Sequence, residues 1–327
     1  MVSAGRMVIR TAHPDTGEQV EYGLRTNPDA SLSYFGKVIE TGAPLQEPVI
    51  SKTIDGMIVN LTGYRRLRPG GKVTAKKRIL APHDPTKCSF CVGPISLAKN
   101  PANPDGRPPL AAIPVNGREW KLYHNISPIV AEGHFLIVPD IELSENRRPQ
   151  ELIPTDIEDI LTLANHSEGL AFVFNGRGGG ASQNHIHWQA FARSSPMAVE
   201  RQPREVLARV NGVTVSRLPS YAATTLVLEG SPAAVASVIW PLIEHMQNPK
   251  HETPFNVYIA EGRVYLFPRN VDTDVTPEFP NFIFGTWELA GLFDLHTQED
   301  FDAMSAERVH GAYRNTTLPQ GVFQRLS

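Results

Sequence analysis

Two cysteines in 327 residues leave no material for a disulfide framework. Long apolar runs are missing too, and none approaches the length a bilayer span needs. The opening Met1-Val2-Ser3-Ala4-Gly5-Arg6 lacks the apolar core of a signal peptide, so the expectation is a cytoplasmic protein with no membrane partner. Charge of one sign is scarce as well. Lys and Arg total 31 against 34 Asp and Glu, a formal net charge of −3, and no basic stretch dominates. That balance argues against a general nucleic-acid binder. Lys76-Lys77-Arg78 and Arg65-Arg66 are short clusters of the kind a solvated face carries. There is no low-complexity segment and no short-period repeat. What is present is ordinary for a soluble globular chain, 41% hydrophobic and 20% charged. It is long enough for one large domain or two of common size, with a substantial core.

Proline is frequent, 28 residues, and marks boundaries. Residues 98–118 hold Pro101, Pro104, Pro108, Pro109 and Pro114 with Gly106 and Gly117, and read as a long surface loop near the substrate. Thr155-Asp156-Ile157-Glu158 has the capping-box pattern and predicts a helix over 156–167. Strands are expected over 170–174 and 185–193. A second series follows: a strand over 224–228, then a helix opened by Ser231-Pro232 and stopped by Asn248-Pro249. Val235, Val238, Ile239, Leu242, Ile243 and Met246 share one face of that helix. Phe255–Ala260 and Arg263–Pro268 then flank Glu261-Gly262 as a hairpin. Strand, helix and hairpin, twice over, suggest two related α+β halves.

The chemistry concentrates in Gly178-Gly179-Gly180-Ala181-Ser182-Gln183-Asn184-His185-Ile186-His187-Trp188-Gln189. On a strand, side chains two apart share a face at about 7 Å spacing, so His185, His187 and Gln189 project together. Ile186, Trp188 and Ala190 take the other side and can be buried. A lone histidine on an apolar strand is ordinarily packing; two with a glutamine, directly after three glycines, call for more. A loop of free backbone N–H groups beside two imidazoles can hold a phosphate and attack it. A P-loop is excluded, because no Lys follows the glycines. The attacking imidazole nitrogen must be unprotonated, and the other must keep its proton by donating to a carbonyl or carboxylate. Gln189 can donate to a phosphate oxygen but cannot carry a proton. Cys88-Ser89-Phe90-Cys91 has zinc-ligand spacing, with two buried thiols as the equal alternative.

This segment resembles the signature of the histidine triad (HIT) superfamily, in its His-x-His-x-Gln transferase branch. His124-Asn125-Ile126-Ser127-Pro128 and Gly133-His134-Phe135-Leu136-Ile137-Val138-Pro139 are similar to the strand pair that precedes the triad in those proteins, and Phe174-Asn175-Gly176 fits as well. Asn60-Leu61-Thr62-Gly63-Tyr64-Arg65-Arg66-Leu67-Arg68-Pro69 and Arg78-Ile79-Leu80-Ala81-Pro82-His83-Asp84-Pro85 are similar to the GDP-hexose phosphorylases. The likeness covers residues 45–195 and thins beyond, to Phe255-Asn256-Val257-Tyr258, Leu266-Phe267-Pro268-Arg269 and Trp287-Glu288-Leu289-Ala290-Gly291.

The resemblance implies an α+β fold, HIT-like and similar to the galactose-1-phosphate uridylyltransferases, with two related modules of antiparallel sheet and helices. Residues 1–80 would be an N-terminal extension contributing strands, 81–198 the catalytic module, and 199–327 a second module without the triad. It implies His187 as nucleophile and His185 as its supporting neighbour. Gln189 replaces the third histidine of the hydrolase branch, an exchange associated with transfer to a phosphate acceptor rather than to water. Asn175 would contact ribose or phosphate, Gly179, Gly180 and Ala181 would supply backbone donors, and Ser182 and Asn184 would touch the α-phosphate or serve the turn. The uridylyltransferases carry a similar cysteine pair, which implies Cys88, Cys91 and His185 as ligands of a structural zinc, with Glu142, His124 and His83 open as the fourth. The chemistry itself requires no cofactor. His134 reads as structural, and Glu288 and His296 lie where relatives place second-module residues.

The expected function is a nucleotidyltransferase or phosphorylase that cleaves a nucleoside-diphosphate sugar, GDP-hexose favoured, through a nucleotidyl-histidine passed to phosphate or a sugar phosphate. Uridylyl transfer between UDP-glucose and a hexose 1-phosphate and dinucleoside polyphosphate phosphorolysis are the alternatives. Hydrolysis of nucleotide conjugates, which Gln189 argues against, and a non-catalytic nucleotide sensor rank below them. The resemblance leaves a homodimer open.

Overall fold

The computed structural model describes residues 7–12, 19–24, 50–61, 80, 82–92, 96–101, 104–125, 129, 134–193, 195–250, 252–270, 275–280, 282–295 and 297–325. In chain order the strands are β1 (Met7–Ala12), β2 (Gln19–Leu24), β3 (Ile50–Ile54), β4 (Met57–Leu61), β5 (Ala111–Val115), β6 (Arg118–His124), β7 (His134–Pro139), β8 (Ser167–Glu168), β9 (Leu170–Asn175), β10 (Trp188–Ala192), β11 (Glu205–Val210), β12 (Val213–Arg217), β13 (Leu226–Glu229), β14 (Phe255–Ala260), β15 (Arg263–Pro268) and β16 (Leu292–Leu295). The helices are α1 (Pro154–Asn165), α2 (Pro232–Gln247), α3 (Thr286–Ala290), α4 (Gln298–Asp302) and α5 (Ala306–Thr316). The content is α+β with the strands mostly antiparallel, and among the described residues no helix is long and apolar enough to cross a membrane.

Four hairpins use one turn chemistry. Asp55-Gly56, Asn116-Gly117, Asn211-Gly212 and Glu261-Gly262 have positive φ at both positions, between 48° and 78°. Such two-residue turns match the right-handed twist of the strands they join. They connect β3 to β4, β5 to β6, β11 to β12 and β14 to β15.

Ten strands form one continuous sheet in the order β11-β12-β13-β15-β14-β9-β10-β7-β6-β5. Its halves have the same order. Read inward, β5-β6-β7-β10-β9 and β11-β12-β13-β15-β14 each place three successive strands, then the fifth, then the fourth. α1 follows the third strand of the first half and α2 the third of the second. The halves join where β9 pairs antiparallel with β14, with Asn175 opposite Asn256 and Val173 opposite Tyr258.

Period-two alternation sends the strands' apolar side chains to two cores. Phe172, Phe174, Ile186, Trp188, Ala190, Val257 and Ile259 pack with Ile157, Ile160 and Leu161 of α1 and Val235, Ile239 and Ile243 of α2. Ala171, Val173, Phe191, Tyr258 and Phe267 face the other way, under Trp287, Leu289, Phe293 and Tyr313 from the C-terminal elements and Met57 and Val59 of β4. Farther along that second face, Leu136 and Val138 of β7 are covered by Cys91, Leu97 and Ala98. The two covers flank the ends of β7 and β10, where the glutamine of the triad lies.

Three sequence expectations are corrected. Residues 98–118 are not one loop: β5 and the first residue of β6 lie within them. Pro114 is tolerated because β5 ends the sheet, where a missing N–H costs no ladder bond. The strand expected over 185–193 begins at Trp188. The helix expected over 156–167 is Pro154–Asn165, with Asp156 at its third position, where Oδ2 accepts from Ile153 N at 3.1 Å. α2 and the β14–β15 hairpin follow the sequence reading; β11 and β12 form a further hairpin that it did not contain. The segments 62–69 and 126–128 quoted for the family likeness lie outside the described residues, as do His296 and most of 1–80.

Candidate active site

His185, in a bend, and Ile186 and His187 lead into β10 outside the ladder, and a side chain takes the place of a neighbouring strand. Gln150, 1% exposed, accepts from His187 N through Oε1 at 2.9 Å. Its Nε2 donates to His187 O and to Asn175 O, each at 3.0 Å. Ile186 N donates to Arg148 O at 3.1 Å, and Gln150 N donates to Asn184 Oδ1 at 3.0 Å. The 147–150 turn thus holds the histidine segment from the side. Arg148 is ion-paired to Asp156 of α1, which also receives Arg118 Nη2 at 3.0 Å. Sequence reasoning missed Gln150; a single glutamine after Pro149 carries no pattern.

His187 is 4% exposed, and its Nδ1 donates to the carbonyl of His185 at 2.8 Å. That bond fixes the tautomer and leaves Nε2 unprotonated, without a partner among the described residues. Burial pushes the His187 pKa down to about 4, so the ring is a neutral nucleophile at physiological pH. The cationic form, which a nucleotidyl-imidazole resembles, would find its Nδ1–H already facing a carbonyl oxygen.

His185 is fully buried, with Nδ1 3.0 Å from Ile186 O and burial holding its pKa down to about 3. Its Nε2 is sealed from solvent with no hydrogen-bond partner among the described residues. Ligand atoms of Cys88, Cys91 and His185 lie within 4.8 Å of one another. Between the cysteines, Phe90 sets its ring edge-on to both His185 and His187, at 5.6 and 5.3 Å between centroids. The Cys91 thiol donates to Cys88, whose pKa is lowered to about 6, while that of Cys91 rises through the same bond and burial. An unpartnered buried imidazole nitrogen beside a thiol–thiolate pair is a donor set that fits zinc. Of the residues left open as a fourth ligand, His83 turns Nδ1 to Asn184 O at 2.6 Å and Nε2 to Arg147 O at 2.9 Å. Glu142 Oε1 accepts from Lys99 N at 3.0 Å, and the His124 side chain lies outside the described residues.

The glycine loop gives a divided answer. Gly179 N donates to Gly176 O at 2.9 Å, so it is not an open anion donor. The N–H groups of Gly180, Ala181 and Ser182 have no partner among the described residues, and the Ser182 side chain is exposed. The glycines themselves answer to the second half of the sheet. A Cβ on Gly179 would stand 2.7 Å from Phe255 O, and Gly180 has φ +90° with Phe284 O 3.0 Å from where its Cβ would be.

Asn175 is also partly committed. Its Oδ1 accepts from Asn256 Nδ2 at 2.7 Å and Thr286 N at 2.8 Å, and Thr286 Oγ1 lies 2.7 Å away. Only its amide nitrogen is left for a ligand, and its main task is tying β9 to β14 and α3. Asn184 Oδ1, likewise, serves Gln150 rather than facing outward. Glu288 caps α3 by accepting from Gly285 N at 2.7 Å. Gln189 is half-buried, and its Oε1 lies 2.7 Å from His134 Nε2.

The chain is similar to known proteins in sequence and in fold. Residues 198–327 match the family described as GDPGP1-like, C-terminal domain. The chain is 26% identical over 246 residues to GDP-L-galactose phosphorylase 1 of Arabidopsis thaliana, covering 69% of this chain and 51% of that protein. It is 26% identical over 227 residues to GDP-D-glucose phosphorylase 1 of Danio rerio, covering 62% of each. The chain therefore spans between half and two thirds of the curated relatives it matches. In fold it is similar to the yeast Ap4A phosphorylase Apa2 solved in complex with Ap4A, at a TM-score of 0.55 and 14% identity, covering 89% of this chain and 97% of that one. The resemblance to the GDP-hexose phosphorylases is upheld as a resemblance, and the fold is α+β, like that of the Ap4A phosphorylase.

Proposed function

We propose that this chain, a histidine triad superfamily protein related to the GDP-hexose phosphorylases, is a nucleotidyltransferase that phosphorolyses a nucleoside-diphosphate hexose, with GDP-hexose as donor. The observation that carries the reading is His187: buried, neutral, Nδ1 tied to the His185 carbonyl and Nε2 free. Nε2 attacks the α-phosphorus, the bond from that phosphorus to the bridging oxygen breaks, and hexose 1-phosphate leaves. An oxygen of inorganic phosphate then attacks the same phosphorus, giving GDP and returning His187 to its neutral state. The free N–H groups of Gly180, Ala181 and Ser182 and the amide nitrogen of Gln189 supply donors toward the charge that develops on the phosphoryl oxygens. Gln189 cannot deprotonate a water, which favours an acceptor that arrives already anionic.

The relatives' names support GDP-hexose over other donors. We read the two halves of the sheet as related modules divided near residue 198, the second without the triad. A zinc ion would be held by Cys88, Cys91 and Nε2 of His185. Its contribution when bound would be structural, fixing the Phe90 turn and the start of the nucleophile segment. A cytoplasmic setting suits thiols that must stay reduced.

The test is intact-protein mass spectrometry after incubation with GDP-hexoses, UDP-glucose and dinucleoside polyphosphates, without acceptor, beside His187→Ala. A guanylyl adduct that requires His187 and disappears on adding phosphate is the expected result. A uridylyl or adenylyl adduct instead would move the substrate to an alternative. No adduct from any donor, with nucleotide binding intact in His187→Ala, would overturn the enzyme reading in favour of a sensor.

A further inference from the structure

His134, the first residue of β7, is 3% exposed and meets the nucleophile segment at Gln189. Its Nδ1 lies 3.0 Å from Ile129 N. A backbone N–H can only donate, so Nδ1 must be the unprotonated nitrogen and the proton must sit on Nε2. Two side-chain amides meet that Nε2, Gln189 through Oε1 at 2.7 Å and Asn125 through Nδ2 at 3.1 Å. An N–H cannot accept, so Nε2–H donates to the Gln189 oxygen, and the longer Asn125 contact is not a hydrogen bond in this tautomer. For Gln189 this settles an orientation that the amide alone would leave open. Its oxygen turns to His134, and its nitrogen is left without a partner among the described residues. The His134 ring is held edge-on by Trp287 of α3, at 5.0 Å between centroids, and Trp287 packs in turn on Phe191 of β10 at 3.9 Å.

We propose that His134 is a positioning residue. Locked by Ile129 as the Nε2–H tautomer, it orients Gln189 so that the amide donates to the reacting phosphoryl group. The inference rests on the nucleotidyl-transfer reading for its kinetic consequence, but not for the tautomer itself. Reversal of the amide would aim an oxygen lone pair at an oxygen that gains negative charge, so the effect falls on the chemical step more than on binding.

Two measurements on the full chain test it. The first is a double-mutant cycle on the single-turnover rate of adduct formation, with wild type, His134→Leu, Gln189→Ala and the pair, and with the GDP dissociation constant measured for each. His134→Leu should slow the step about 10- to 100-fold, of the order expected for one misdirected donor, with GDP affinity within about twofold. The double variant should be no slower than Gln189→Ala, and His134→Gln, which restores an N–H donor, should recover most of the rate. Losses that multiply in the double variant would mean that His134 acts by packing alone and would overturn the proposal. The second is nitrogen NMR of the chain labelled at histidine, with His134→Leu identifying the resonance. Protonated Nε2 with unprotonated Nδ1 is expected, and the opposite tautomer would overturn the proposal whether or not the chain transfers a nucleotide. Absence of transfer by wild type with the expected tautomer would instead sink the functional reading alone.

Discussion

Lowering the pH should leave the attack step almost untouched until well below the range in which a histidine normally charges. An unperturbed histidine titrates near 6.5; burial brings His187 down to about 4. At pH 5 a solvated imidazole is only about 3% neutral, whereas one with the lower value is about 90% neutral. The rate of adduct formation at pH 5 should therefore be close to that at pH 7.5, against an approximately 30-fold loss for an ordinary histidine. The assay is rapid-quench single turnover of the first half-reaction without acceptor, because the donor's diphosphate diester has no ionisation in this window while inorganic phosphate does. An apparent pKa near 6.5 would refute the argument, since it would mean that the ring is hydrated when it reacts. The same burial acts on stability with a definite sign. Between pH 6.5 and about 4 the unfolded chain binds a proton at this residue and the folded chain does not. Stability is therefore complete above 6.5 and falls as the pH drops through that interval, by about 3 kcal/mol for a gap of this size.

Gln150→Ala should lower stability by about 2–4 kcal/mol in urea denaturation, because it strips partners from His187 N, His187 O and Asn175 O in a buried place; a change under about 0.5 kcal/mol would show that water replaces the amide. Gly179→Ala should cost about 1–3 kcal/mol by overpacking against Phe255 O, read as a lower melting temperature, and an unchanged melting curve would mean that the loop is free to retreat. The chain prepared in zinc-containing medium should carry about one zinc by elemental analysis, lost together with thermal stability in Cys88→Ser; a metal-free wild type of unchanged stability would leave the cysteines as buried thiols.

The reach of sequence reasoning varied with the range of the interaction. Ile186, Trp188 and Ala190 alternate into one core, as the period-two reading required of the residues between His185, His187 and Gln189, although the ladder begins only at Trp188. The apolar face of α2 and the Glu261-Gly262 turn were readable for the same local reason. β5 was hidden by its proline, which only the strand's place at the sheet's end makes harmless. The β11–β12 hairpin announced itself in Asn211-Gly212, a signal as good as the one read at Glu261-Gly262, but Val206, Leu207 and Val210 are exposed and give no one-sided pattern. Nothing local could reveal that Gln150 stands in for a strand, that Asn175 serves a seam, or that Gly179 is small for the sake of Phe255. Each depends on a partner between 25 and 111 residues away.

A sheet that runs unbroken from one half of the chain to the other has no hinge. Closing two lobes around a substrate would tear the β9–β14 ladder and the Asn175–Asn256–Thr286 cluster beneath it, so traffic at His187 cannot depend on the halves parting. A two-step transfer must release one product and admit another reactant while the nucleotide is still bound to the protein. In this architecture the passage falls to the covers of the sheet, the Phe90 turn on one side and the Trp287 segment on the other. Mutations that alter turnover without touching the chemistry should therefore gather in those covers and spare the strands.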